Sequence, residues 1–173
     1  MFEAKLQSFT ESSDPSQGKA RVAALRGKLA SLGLGGFLIP RSDEHQGEYV
    51  PPCDERLAWL SGFTGSAGYA VVLADKAAIL IDGRYTGQAE AQTDGAVFER
   101  VPVHEIGLAD WLAANVPTGG KLGYDPALHT PGEIERIGKA LLALKVELTP
   151  VAANPIDALW HDRPAPPAGK VVL

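Results

Sequence analysis

The sequence predicts an α/β fold in which a mixed sheet of five to six strands carries helices on both faces. Short apolar runs typical of buried strands alternate along the chain with longer segments of helical periodicity. One pair of apolar runs is joined by a tight turn and predicts an antiparallel hairpin, whereas helical segments separate the other runs. The chain has 173 residues, of which 45% are hydrophobic, so we expect one domain with its own core.

The first predicted helix follows a polar segment. Residues 1–18 are rich in turn-forming side chains and too poor in apolar ones to offset the entropy of ordering, so we expect a flexible N-terminal segment. Apolar residues then recur at helical spacing at Val22, Leu25, Leu29 and Leu32. This pattern predicts an amphipathic helix over residues 20–32, ended by Gly33. The apolar run 37–39 before Pro40 predicts a strand buried on both faces.

The glycine-rich stretch GFTGSAG, residues 62–68, precedes the predicted hairpin of strands 69–73 and 77–81. A phosphate-binding loop instead opens a helix, so that the N-terminal amides of the helix face the anion. This stretch leads into a strand and lacks the GK[ST] ending. We therefore interpret its glycines as positions of close backbone approach before the hairpin.

The alternation of helices and strands continues to residue 160. We predict helices over residues 55–60, 85–93, 108–115, 131–144 and 156–160, and strands over residues 97–101, 121–124 and 145–148. Thr130 is the predicted N-cap of the helix that starts at Pro131, and Glu133 completes a capping box. The predicted domain covers residues 19–162. We expect residues 163–173, RPAPPAGKVVL, to be a stiff linker and the start of a further domain.

Composition argues against several classes of partner. The net charge of −5 disfavours nucleic acid and anionic membranes. The single cysteine, Cys53, excludes an internal disulfide framework and fits a reducing cytoplasm. The first residues lack the apolar stretch of a secretory signal, and the longest apolar segment, residues 69–81, is too short to span a bilayer.

A polar cluster, DEHQGEY, follows the first predicted strand at residues 43–49. Loops at this position of open α/β sheets commonly bind ligands. Asp43, His45 and Glu48 are conceivable metal ligands, but no second histidine lies nearby and the HExxH spacing is missing, so we predict no metal site here. The cluster is either a loop that contacts substrate or a solvated loop in which Asp43 caps a turn.

Arg84 lies in the sequence DGRY at the exit of the hairpin. A guanidinium presents a fork of donors suited to a carboxylate or a peptide carbonyl. Arg84 therefore either anchors a ligand or forms an internal ion pair with Asp82 or Asp43. The residues alone leave both alternatives open.

The sequence predicts no complete catalytic machinery. Ser61 and Ser66 do not lie in a GxSxG elbow, and Cys53 has no flanking signature of a nucleophile. The remaining histidines occur in turn-like contexts that favour surface or capping roles: His104, His129 and His161. Core packing is expected for the three tryptophans: Trp59, Trp111 and Trp160.

Four separated blocks nevertheless agree with one family. These are SDEHQGEYVPPCDERLAWLSGFTGSAGYAVV, ILIDGRYTGQAEAQ, LGYDP and NPIDALWHDRPAPP, in this order. Together they resemble the N-terminal domain of three-domain Xaa-Pro aminopeptidases. The resemblance implies a creatinase/prolidase-type N-terminal fold, in agreement with the alternation of elements described above.

The resemblance also implies a function. In the family, catalysis belongs to a C-terminal pita-bread domain that binds two manganese ions through Asp, His and Glu ligands. This chain would then be a non-catalytic, by itself inactive part of a cytoplasmic, homodimeric peptidase that acts on peptides with proline at the second position. It would pack on its own C-terminal catalytic domain and help to shape the cleft and the assembly.

The resemblance implies substrate-binding roles for four residues: Asp43, His45, Tyr49 and Arg84. Three positions depart from the family pattern, since Gly47 replaces a serine, Ile81 a threonine and Thr86 an aromatic residue. The alternative function is a stand-alone ligand-binding or interaction domain without peptidase activity. A small hydrolase using Asp43 and His45 would lack a nucleophile or a second ligand set.

Overall fold

The computed structural model describes residues 13–169, which form one six-stranded mixed sheet with helices on both faces. The strands are β1 Gly36–Pro40, β2 Gly68–Leu73, β3 Ala77–Ile81, β4 Glu99–Pro102, β5 Lys121–Tyr124 and β6 Glu147–Pro150. Their order in the sheet is β4-β3-β2-β1-β5-β6. The helices are α1 Gly18–Ser31, α2 Arg56–Ser61, α3 Thr86–Gln92, α4 Leu108–Asn115 and α5 Pro131–Leu141. The predicted fold class is confirmed.

The hydrophobic residues of the central strands alternate between two cores. In β1, Phe37 and Ile39 pack in a core with α1, α2 and α3, while Leu38 packs in a second core with α4 and α5. This alternation follows from the two-residue period of a strand. Because both faces are covered, β1 and β3 are apolar at every position, which is the pattern of a strand buried on both sides.

Most predicted element boundaries are close to the observed ones. The predicted hairpin is confirmed, with Val72 opposite Ala77 and the turn closed by the bond from Leu73 N to Lys76 O. Thr130 accepts a hydrogen bond from Glu133 N at 3.3 Å, as expected of the N-cap of α5. The last turn of the predicted helix 131–144 is instead a 3-10 turn, and left-handed Lys145 delays β6 to Glu147.

The prediction of a helix over residues 156–160 is wrong. These residues form a series of turns in which Asn154 Oδ1 accepts a hydrogen bond from Ile156 N. The Asx turn gives the backbone an alternative to helical bonding, and the side chain of Asp157 is bound by Arg56. Burial of Ile156 and Trp160 explains the apolar spacing that mimicked a helix.

The predicted terminal segments are described in part. Residues 1–12 and 170–173 lie outside the described residues. Within the segment expected to be flexible, Pro15–Gln17 form a 3-10 turn capped by Asp14, and Gly18 begins α1. Ser13 Oγ donates a hydrogen bond to Gly62 O at 2.6 Å, so this end of the described chain contacts the glycine-rich loop.

Candidate functional site

Five of the six strands end at the same edge of the sheet. β1 and β3 are both antiparallel to β2, whereas β4 is parallel to β3 and β5 and β6 are parallel to β1. Their carboxyl ends therefore meet on one side, which we call the carboxyl edge. Loops 41–50, 82–85 and 125–130 lie there, following β1, β3 and β5. This is the edge where open α/β sheets bind ligands.

Asp43 organises the loop after β1. Its buried carboxylate accepts hydrogen bonds from His45 N at 3.0 Å and Gly47 N at 2.9 Å. The bond from Gly47, followed by that from His45, outweighs the opposing effect of burial and lowers the pKa of Asp43. A Cβ atom at Gly47 would lie 3.2 Å from Asp43 Oδ2, so glycine lets the loop close tightly. Asp43 is thus the turn-capping residue that the sequence allowed.

The side chains of His45 and Tyr49 project from this loop. Tyr49 is 87% exposed, and His45 is also exposed, with its Nε2 atom 3.5 Å from Glu44 Oε1. The loop is held below them by Arg41, whose Nη1 atom donates to Glu48 O at 3.1 Å and whose Nη2 atom donates to Glu55 Oε1 at 3.2 Å. The backbone of the loop is therefore anchored, while the side chains of His45 and Tyr49 are exposed to solvent.

Arg84 is both paired and exposed. Its Nε atom donates to Asp82 Oδ1 at 2.9 Å and its Nη2 atom to Asp82 Oδ2 at 3.5 Å, while 74% of the side chain is accessible. The hydrogen bonds from Arg84 lower the pKa of Asp82. Tyr85 lies beside the guanidinium at 5.7 Å and is bonded through its hydroxyl to Ser66 Oγ at 2.5 Å. Of the two internal partners considered, the structure selects Asp82.

Thr86 occupies the position where the family pattern has an aromatic residue. Its hydroxyl donates to Gly83 O at 3.0 Å at the start of α3. The ring of His104 packs against Gly83, because a Cβ atom there would lie 3.0 Å from His104 Cε1. Glycine at position 83 thus lets the DGRY turn pack closely against His104, in the loop that follows β4.

Only two of the four predicted substrate-binding residues line a common cavity. An open cavity of about 440 Å³ is lined by residues that include Asp43, His45 and Arg163, but neither Tyr49 nor Arg84 contributes to it. All four predicted residues lie in loops of the carboxyl edge. They therefore share an edge of the sheet without forming one enclosed pocket.

Four charged residues beside this cavity, not predicted from the sequence, form a group that we call the Arg56–Arg163 network: Asp54, Arg56, Asp157 and Arg163. Arg56 Nε and Nη2 donate to the two carboxylate oxygens of Asp157 at 2.7 and 3.0 Å, and Nη1 donates to Asp54 Oδ1 at 2.9 Å. Burial disfavours the charged Arg56, yet the bonds and charges of the two carboxylates prevail and raise its pKa. No local pattern signals a pair separated by 101 residues.

Of the surface and capping roles expected of His129, the structure bears out capping, because His129 is the C-cap of the 3-10 turn Pro126–Leu128. It is buried rather than at the surface, and its ring bridges Tyr69 Oη at 2.7 Å and the carbonyl oxygen of Asp125 at 2.8 Å. Because a carbonyl oxygen only accepts, Nδ1 carries a proton and donates it to Asp125 O. Burial, followed by the charge of Glu133, raises the pKa of Tyr69 well above 10.0.

The side chains of Cys53, Ser61 and Asp43, which the sequence offered for catalysis, are engaged within the domain. Burial raises the pKa of the Cys53 thiol, and Ser61 Oγ donates to Leu57 O. Asp43 bonds the backbone nitrogen of His45 and not its ring, so the two do not form a proton relay. No group of three His, Cys, Asp or Glu that could hold a metal occurs within residues 13–169. The side chains of Arg84, His45 and Tyr49 are exposed and carry hydrogen-bond donors.

Residues 21–159 match the Creatinase/Prolidase N-terminal domain family, and the chain belongs to this family. Its curated relatives are Xaa-Pro aminopeptidases. Xaa-Pro aminopeptidase 2 of Rattus norvegicus is 40% identical over 149 residues, which are 86% of this chain and 22% of that protein. The probable Xaa-Pro aminopeptidase P of Coccidioides posadasii (strain C735) is 37% identical over 180 residues, covering 27% of its length. The chain thus spans about a quarter of these relatives.

Solved structures agree with this assignment. The X-prolyl aminopeptidase from Caenorhabditis elegans, described as a cytosolic enzyme with a di-nuclear active site, superposes with a TM-score of 0.79 at 31% identity. The match covers 86% of this chain and 26% of that enzyme. The N-terminal domain of the cytoplasmic peptidase PepQ from Mycobacterium tuberculosis superposes with a TM-score of 0.63 at 30% identity, over 81% of this chain and 98% of that domain. The predicted creatinase/prolidase-type domain is confirmed.

Among the described residues, no helix has the length and apolar character needed to cross a membrane.

Proposed function

We propose that this chain is the non-catalytic N-terminal domain of a manganese-dependent Xaa-Pro aminopeptidase, a hydrolase of the cytosol that releases the N-terminal residue before proline. One observation carries the proposal: relatives named for this activity match 84 to 100% of this chain but only 22 to 27% of their own length. The di-nuclear active site described for the Caenorhabditis elegans enzyme is consistent with a two-metal mechanism. The described residues supply no ligand set for such metals, so we assign them to a separate catalytic domain.

In this proposal the carboxyl edge forms one wall of the substrate cleft. Proline has a tertiary amide without a donor and a fixed φ, so a peptide with proline at the second position is bent and must be held in register. The exposed guanidinium of Arg84 offers donors to a peptide carbonyl or carboxylate, and Asp82 holds it in place. His45 and Tyr49, on the loop capped by Asp43, provide further contacts. Homodimer formation by the parent protein is part of the same proposal.

The first experiment is an immunoprecipitation from source cells with an antibody against this chain. We expect a protein several times heavier than 18.2 kDa that cleaves Xaa-Pro peptides when manganese is supplied and loses this activity with a chelator. The 173-residue chain alone should show no cleavage. A protein of 18.2 kDa without activity would contradict the proposal and favour the stand-alone binding domain.

The cleft-wall role is tested separately with the parent enzyme. Arg84→Ala should raise KM for longer Xaa-Pro peptides about tenfold and leave dipeptides nearly unchanged, because only a longer peptide reaches this wall. Arg136→Ala, which removes an exposed guanidinium from helix α5, is the matched control. Equal effects of Arg84→Ala on both substrate lengths would show that Arg84 does not contact substrate.

A further inference from the structure

The Arg56–Arg163 network joins the end of the domain to the 3-10 turn Pro52–Asp54, which precedes α2. Arg163 Nη2 donates to Asp54 Oδ1 at 3.0 Å, Nη1 lies 2.7 Å from Asp157 Oδ2, and Nε donates to Cys53 O at 2.6 Å. All three nitrogens of its guanidinium are therefore engaged, on the 3-10 turn Pro52–Asp54 and on the turns that contain Asp157. A planar guanidinium that contacts three acceptors at once fixes orientation as well as distance.

The two arginines have different roles in this network. Arg56 is 6% exposed and binds both carboxylates by itself, so it compensates their charges inside the domain. Arg163 is more exposed and adds a second bridge across the same two carboxylates. Loss of Arg163 would leave Arg56 still paired, whereas loss of Arg56 would leave two part-buried carboxylates with one partner. Arg163 is therefore dispensable for charge balance.

The segment that follows Arg163 runs beside the candidate site. Pro164 lines a cavity with Trp59 and Trp160. Pro166 and Pro167 line the cavity that also includes Asp43 and His45. Proline restricts its own φ and the conformation of the preceding residue, so the segment 164–167 is stiff. The orientation of Arg163 therefore determines the direction in which this segment runs.

We propose that Arg163 is a fixed joint, which sets the direction in which the chain leaves the domain and directs it along the carboxyl edge. The inference rests on the network and on the path of residues 164–167, and not on the proposed function. In a longer protein, the joint would hold the following region beside the loop of Asp43 and His45. Arg163 is then a positioning residue.

The test measures distances within the 173-residue chain by double electron–electron resonance. Spin labels at Ala30→Cys, on the exposed side of α1, and Ala168→Cys, in the exit segment, report the position of the segment relative to the folded core. The native cysteine is buried, and a chain without introduced cysteines gives the background. We expect one narrow distance distribution.

Arg163→Gln should broaden this distribution at least twofold, because glutamine does not bridge two carboxylates and a carbonyl. Arg163→Lys should give an intermediate width, since an ammonium lacks the planar fork. Lys121→Gln is the control. It breaks an exposed ion pair with Glu147 that is not part of the Arg56–Arg163 network, so it should leave the width of the distance distribution unchanged. Amide exchange in β1 to β3 verifies that each variant is folded.

An unchanged width in Arg163→Gln, with the core protected, would overturn the proposal. If Arg163→Gln does not fold, Arg163→Lys carries the test, together with amide exchange of residues 161–169. Exchange that rises about tenfold in this segment alone supports a joint. Exchange that rises equally in the sheet would show a general stabilising role and overturn it.

Discussion

At the scale of single residues, Asp43 shows how one carboxylate shapes a binding loop. It is buried at the carboxyl edge and paired with two backbone amides, so it fixes the loop from which His45 and Tyr49 project. A hydrogen bond from an amide to a charged acceptor is worth about 1.5–3 kcal/mol, which exceeds the contribution of a typical exposed ion pair. The charge on this carboxylate therefore affects the stability of the domain.

Asp43→Asn should lower the stability of the chain at neutral pH, and this loss should become smaller as the pH falls below the unfolded pKa of about 3.9. The folded state lowers the pKa of Asp43, so its contribution is present above its unfolded pKa of about 3.9 and is lost as the pH falls through the folded pKa. Urea unfolding at several pH values measures the difference between the two chains. A difference that grew toward acidic pH would contradict this assignment.

At the scale of elements, the glycines of the loop 62–68 allow close packing against neighbouring atoms. Gly62 has a φ of +86°, and a Cβ atom there would lie 2.4 Å from Gln92 O. A Cβ atom at Gly65 or Gly68 would meet the ring of Phe63 at 2.3 or 2.7 Å. The interpretation of these glycines as sites of close backbone approach is confirmed, and the loop thereby joins α2 to β2 across the end of α3.

Gly62→Ala should destabilise the chain by about 2–4 kcal/mol, since it combines backbone strain with a clash against a carbonyl. Gly27→Ala provides the matched comparison, because Gly27 lies exposed inside α1 with open space around it. That substitution should stabilise the chain by about 0.5–1 kcal/mol through helix propensity. Chemical denaturation of both variants gives the two values, and destabilisation of equal size would refute the packing argument.

At the scale of the whole molecule, two hydrophobic cores lie on opposite faces of one sheet and share its strands. Leu25 of α1 lies in the first core and Ile137 of α5 in the second, and both are almost fully buried. The central strands contribute alternate residues to each core, so neither face can lose its packing without disturbing the shared sheet. We therefore expect the domain to unfold as one cooperative unit.

Leu25→Ala and Ile137→Ala should each cost about 2–5 kcal/mol, because each leaves a cavity in a close-packed core. Tryptophan fluorescence and far-UV circular dichroism should follow a single, coincident transition in both variants. Two separate transitions in either variant would show that the layers are independent units. The decrease in the free energy of unfolding of the double variant should equal the sum of the two single decreases within about 0.5 kcal/mol, since the two residues lie on opposite faces of the sheet.

Local pattern was sufficient for most elements of this fold. Helix α1, the hairpin of β2 and β3, and the cap of α5 depend on interactions within a few residues, which spacing and capping residues encode directly. Four sequence blocks carry the resemblance that indicates the family. The strands β4 and β6 begin later than the pattern predicts. Val97 N and Phe98 N donate hydrogen bonds to Asp94 O in a turn before β4, and Lys145 has a left-handed backbone before β6.

The sequence by itself determined the α/β class, the order of the main elements, the family and the loops that carry Asp43, His45, Tyr49 and Arg84. The tertiary structure decided the partners of these loops, because a side chain selects its partner among groups brought together by the whole fold. It paired Arg84 with Asp82, buried His129 against Tyr69, and joined Arg56 to Asp157 across 101 positions. Residues 156–160 form turns instead of a helix, because the local Asx turn of Asn154 acts together with the contact that distant Arg56 makes to Asp157.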